Sequence, residues 1–233
     1  MTTEKDRLDE MLQNNKITKS EYHLLLSALN KKNSFYVVFS FLVNPFQRIA
    51  GVYSLVIGLI TLLAMSGLGL IAKVYFPGLI TILNASAVKE PKVPLNFYLL
   101  LYQNAICWIV LTIIFIVIAK ILQQKRIRII DFIGTVALAR FPFLILTGIL
   151  CIIRLLYPSF LEIDLTKGVL VEPSVSLSAF FVVMITFVIW QITTYFNAFK
   201  ESSGLIGKKL WIGFIIALIL GEVTTNYLTM VVM

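Results

Sequence analysis

Residues 131–150 read DFIGTVALARFPFLILTGIL. About twenty residues are needed to cross hydrocarbon as a helix. This run is apolar apart from Asp131 at its start and Arg140 near its middle. A charge at the bilayer centre costs about 2.5–3.5 kcal/mol on insertion scales, so Arg140 is expected to face protein rather than lipid. Pro142 lacks an N–H and deprives the Leu138 carbonyl of its helical partner. An arginine one turn away can reach that carbonyl. The stretch reads as the central helix of a membrane bundle.

Four further runs surround it, giving expected spans at 49–72, 97–119, 132–153, 175–199 and 210–232. The fold class is therefore all-α: a polytopic integral membrane protein with five transmembrane helices. The composition agrees. Of 233 residues, 59% are hydrophobic and 14% charged, against about 45–50% and 25% in soluble domains. The first span is rich in small residues (Gly51, Gly58, Gly67, Gly69), which let helices approach closely in lipid. The start, MTTEKDRLDEMLQNNK, has no apolar core, so no signal peptide is expected.

The net charge of +8 does not point to nucleic acid, because the basic residues flank the apolar runs. Fourteen Lys and Arg fall in 1–48, 120–131 and 200–209, and five in 73–96 and 154–174. The positive-inside rule then places the N-terminus in the cytosol and the C-terminus outside. The outer loop 74–96 holds Pro77-Gly78 and the apolar LITILNASAV, which is expected to lie along the surface. LEIDLTKGVLVE, within 157–173, has the alternation of a short hairpin.

Residues 1–32 read as a cytosolic helical hairpin. Leu8, Met11 and Leu12 share one side of the first helix. Thr18-Lys19-Ser20-Glu21 is a capping box opening the second. Tyr22, Leu25, Leu26 and Leu29 follow at helical spacing. Helices this short are marginal alone, so this stripe either packs within the hairpin or docks on a partner. Residues 33–48 are aromatic and amphipathic (Phe35, Tyr36, Phe39, Phe41, Phe46) and read as an interfacial segment. Asn44-Pro45 turns the chain toward the membrane domain, 49–233.

Arg140 and Glu222 both fall near mid-span. They are expected to pair, with Asn104 or Gln103 completing the polar centre and Asp131 and Pro142 bounding it. That centre serves either as a lock on helix register or as a proton- or ligand-coupled site; the remaining alternative is that Arg140 snorkels to the cytosolic face and Glu222 is protonated alone. Enzyme motifs are missing. His23 is the single histidine and lies in the hairpin, so neither a Ser-His-Asp triad nor an HExxH zinc site can be built in the membrane. There is no GxxxxGK[ST] loop. The sequence predicts a non-enzymatic protein without cofactor or metal.

Two resemblances add to this reading. Leu8, Leu12, Lys16, Ile17, Thr18, Glu21, Leu25, Leu26 and Leu29 resemble SHOCT-like bacterial hairpins, with Asn15 where those have glycine. Residues 40–233 resemble the bacterial branch of the Yip (Ypt-interacting protein) family. The likeness rests on Asn44-Pro45, on Asp131, Gly134, Thr135, Ala137, Leu138 and Pro142, and on the run Asn197 to Gly204. Bacterial members look like accessory membrane proteins. The resemblance implies other membrane proteins as partners, ABC-type exporters among them, and no catalytic residues. A second copy of the chain is another partner for the hairpin. Lys125, Arg126 and Arg128 in the loop 120–131 face either partner acids or anionic lipid, or act only as topology signals. Two functions stay open: a scaffold binding through hairpin and loops, and a small transporter or channel using the Arg140–Glu222 centre.

Overall fold

The computed structural model describes residues 4–14, 16–31, 35–85, 88, 91–122, 127–157 and 175–233. The chain divides into two compact units, Met1–Pro45 and Phe46–Met233.

The first unit contains α1 (Glu4–Gln13), α2 (Lys19–Lys31) and α3 (Phe35–Val43). The capping box forms as expected. The Thr18 hydroxyl accepts the Glu21 N–H at 3.3 Å, and the Glu21 carboxylate accepts the Thr18 N–H at 2.8 Å. Those bonds from Thr18, the backbone one foremost, hold the Glu21 carboxyl below its ordinary pKa. The Tyr22 hydroxyl donates to Asp9 at 2.6 Å and ties α2 to α1. That bond, with lesser burial, pushes the Tyr22 phenol up. The interfacial segment expected at 33–48 is divided by the unit boundary: α3 belongs to the first unit, and Phe46 is buried in the second.

The second unit is an all-α membrane bundle. Among the described residues it has five spans, made by α4 (Gly51–Ala72), α5 (Phe97–Leu122), α6 (Ile129–Leu138) with α7 (Phe141–Leu156), α8 (Val175–Ser203) and α9 (Gly207–Val232). The span formed by α6 and α7 is the most buried of the five, as its central position in the sequence reading requires. It packs most extensively on α4, while α5 packs on α9. The close approach of α4 and α6 needs glycine. A Cβ on Gly58 would clash with the Leu138 amide nitrogen at 2.6 Å, and the close backbone approach that glycine allows is what associates helices in lipid. The Trp108 indole donates to the Ile133 carbonyl at 2.9 Å, fastening α5 to α6. Thr135 and Ser202 share a hydrogen bond of 2.8 Å, so the runs 131–142 and 197–204 meet. The hairpin expected within 157–173 lies outside the described residues.

Candidate functional site

The connection between α4 and α5 is irregular yet deeply buried. Two short strands, β1 (Val74–Tyr75) and β2 (Leu83–Asn84), pair antiparallel. Between them Phe76 and Leu79 are fully buried. Val74 to Leu79 thus re-enter the bundle, and Leu79 departs from the surface course expected of LITILNASAV, while Ile80 to Ala85 are half-buried. Leu79 packs in one cluster with Leu111 and Phe115. Leu111 is about 21 Å from the start of α5, so the hairpin tip reaches mid-span.

Non-helical backbone at that depth persists only where protein satisfies its polar groups, and here α5 and α9 do so. Gln103 Oε1 accepts the Phe76 N–H at 2.9 Å. The Glu222 carboxylate accepts the N–H groups of Leu79 at 2.7 Å and Ile80 at 3.1 Å, and the Thr81 hydroxyl. Asn226 Nδ2 donates to the same carboxylate at 2.8 Å. The Thr229 hydroxyl donates to the Pro77 carbonyl, and the Cys107 thiol to the Gly78 carbonyl at 3.3 Å. Gly78 permits the contact, since a Cβ there would lie 2.5 Å from Asn226 Nδ2.

Arg140 occupies the break between α6 and α7, about 16 Å from the start of α6. Its side chain is fully buried. Nη1 donates to the Tyr195 hydroxyl at 3.3 Å; Nε and Nη2 have no hydrogen-bond partner among the described residues. The expected direct pair with Glu222 does not form, because the hairpin supplies Glu222 with its donors first. The expected bond from Arg140 to the Leu138 carbonyl does not appear either. Pro142, buried in the first turn of α7, has no N–H to offer the Leu138 carbonyl, and the neighbouring Ala139 carbonyl accepts Gln191 Nε2 at 2.9 Å. Asn104 is not part of the hairpin seat; its Nδ2 donates to Ser66 at 3.0 Å. Asp131 stands half-buried in the first turn of α6, beside Gly51. The polar centre foreseen as one cluster is thus a seat built on Gln103 and Glu222, and a separate guanidinium at a helix break.

Tyr195, Gln191, Thr81, Thr229 and Cys107 are functional neighbours that the sequence reading did not assign. Pro77-Gly78 within an apolar loop was the available signal, and it fits a buried turn as well as a surface one. On α2, Leu25 is exposed, Leu26 is half-buried, and Tyr22 is half-buried and engaged with Asp9. Leu24, unassigned from sequence, is the more exposed leucine. The Leu29 side chain, Lys125 and Arg126 lie outside the described residues, and Arg128 is exposed ahead of α6.

Five apolar spans, a broken central helix and a re-entrant hairpin define an all-α polytopic membrane protein. Comparisons with protein-family models, with curated proteins and with solved structures find no match to the chain.

Proposed function

We propose that this chain is a Yip-like, non-enzymatic scaffold or accessory subunit of the bacterial cytoplasmic membrane, with its N-terminus cytosolic and its C-terminus outside. It binds other membrane proteins, ABC-type exporters among the candidates, through its N-terminal hairpin and cytosolic loops. The observation that carries the reading is that Met1–Pro45 is a compact unit of its own that leaves Leu24 and Leu25 of α2 69% and 42% exposed. Adjacent exposed leucines on a helix outside the spans are what a docking face requires. A mild-detergent pull-down with and without residues 1–32 tests it. Defined membrane subunits that co-purify and are lost with the deletion support docking. Purification of the chain alone in both cases overturns it.

A second reading, a small ion-coupled transporter, is favoured by one observation: a helix break at Arg140 and a non-helical hairpin at Glu222 both lie near mid-span. Broken helices at that depth are where transporters place their sites. Proton flux in proteoliposomes that disappears in Glu222→Gln supports this reading, and flux unchanged by that substitution removes it.

A further inference from the structure

The two charges, Arg140 fully buried and Glu222 half-buried, are served unequally. A carboxylate offers about four acceptor positions, and Glu222 receives four donors: Leu79 N–H, Ile80 N–H, the Thr81 hydroxyl and Asn226 Nδ2. Three of the four belong to the hairpin. A guanidinium carries five N–H donors, and Arg140 places one on Tyr195 at 3.3 Å, leaving Nε and Nη2 without a partner among the described residues. The charges are not remote from each other: Ala139, next to Arg140, and its partner Tyr195 pack in one cluster with Cys107 and the hairpin's Leu79. What lies between Glu222 and Cys107 is the hairpin tip: Gly78 touches the Glu222 carboxylate on one side and receives the Cys107 thiol on the other.

We infer that the hairpin 74–84 is a two-position element that exchanges partners with Arg140. Seated, it occupies Glu222 and leaves the guanidinium under-served. Withdrawn, it gives up its bonds to Glu222, and the freed carboxylate and Arg140 pair directly. The second position is thereby stabilised by an ion pair in low dielectric, where such attraction is strong. The two removals shift the balance in opposite directions, because Arg140 serves only the withdrawn position, whereas Glu222 accepts three hairpin donors in the seated one against a single ion pair in the withdrawn one. Neither a docked partner nor a transported ion is required.

Hydrogen–deuterium exchange of hairpin peptides spanning 74–84, read by mass spectrometry on the full chain in detergent, tests this. Peptides from 51–72 serve as a control for the rest of the bundle. Arg140→Met is expected to slow hairpin exchange several-fold, since the withdrawn position loses its pair. Glu222→Gln is expected to speed it. In the Glu222→Gln background, Arg140→Met should slow it no further, and Arg140→Lys in the parent should restore exchange near the original rate. Arg140→Gln replaces Arg140→Met if the latter perturbs the control peptides. Faster or unchanged hairpin exchange without the guanidinium overturns the inference, because a purely structural arginine loosens its surroundings when removed. Slowing that persists without Glu222 also overturns it.

Discussion

Glu222 and Arg140 are opposite charges at similar depth in one bundle, yet their surroundings differ in kind. Glu222 is wrapped by donors, two of them backbone amides of a chain that has no helix to satisfy it. Arg140 stands where a helix breaks, with one side-chain hydrogen bond among the described residues. The difference teaches that a charge at mid-span is to be weighed by what depends on it. The hairpin depends on Glu222. In the seated arrangement nothing comparable hangs on Arg140, whose cost of burial is only partly offset.

Removing the acid is the strongest way to break this contrast. Glu222→Ala leaves two amides and a hydroxyl, all in part-buried bonds, without an acceptor, at the low end of about 1–3 kcal/mol for each such group. A loss of about 3 kcal/mol or more is expected, read as a fall in the midpoint of unfolding in mixed micelles. A loss below about 1 kcal/mol would mean that the hairpin finds other acceptors, and the two charges would then be equivalent.

The base should behave in the opposite sense. Arg140→Met substitutes an apolar side chain of similar length for an under-served guanidinium. Well-packed apolar replacements of buried charge are often neutral or stabilising by about 1–4 kcal/mol. The expected outcome is no loss, or a gain at the low end of that range, in the same unfolding assay. A loss as large as that of Glu222→Ala would end the distinction between them.

The smallest effect belongs to the first unit, where charge is met by water. Thr18→Ala removes the α2 cap, which elsewhere contributes about 0.5–2 kcal/mol, and here acts at an exposed site. Faster amide exchange limited to 16–22 is expected, with peptides of α4 unchanged. The pH dependence has a definite sign. Glu21 is held below its unfolded pKa, so its contribution is present above the ordinary glutamate range, about 4.3, and disappears as the pH falls through its lowered value. Tyr22 is raised, so the contribution of its bond to Asp9 is present below about 10 and is lost as the pH rises through its higher value. Protection of α2 amides, corrected for the intrinsic pH dependence of exchange, that is flat between acid and neutral pH would contradict the cap.

Sequence by itself determined the elements whose cause is local. Each span follows from an apolar run long enough for lipid, because within hydrocarbon a helix must satisfy its own backbone. The α2 start follows from Thr18 and Glu21, which meet each other three residues apart. The helix break at Arg140 was legible because Pro142 removes a donor wherever it stands. Only tertiary structure decided the rest. The depth of the hairpin depends on Gln103, Cys107, Glu222 and Thr229, which stand 27 to 152 residues from the atoms they satisfy. Depth along two helices suggested that Arg140 and Glu222 could pair, but depth does not tell what lies between them. The residue that meets the freed Ala139 carbonyl, Gln191, comes from 52 residues further on. Partner choice among buried polar groups is a competition in space, and the hairpin won Glu222 because its backbone had no other acceptor at that depth.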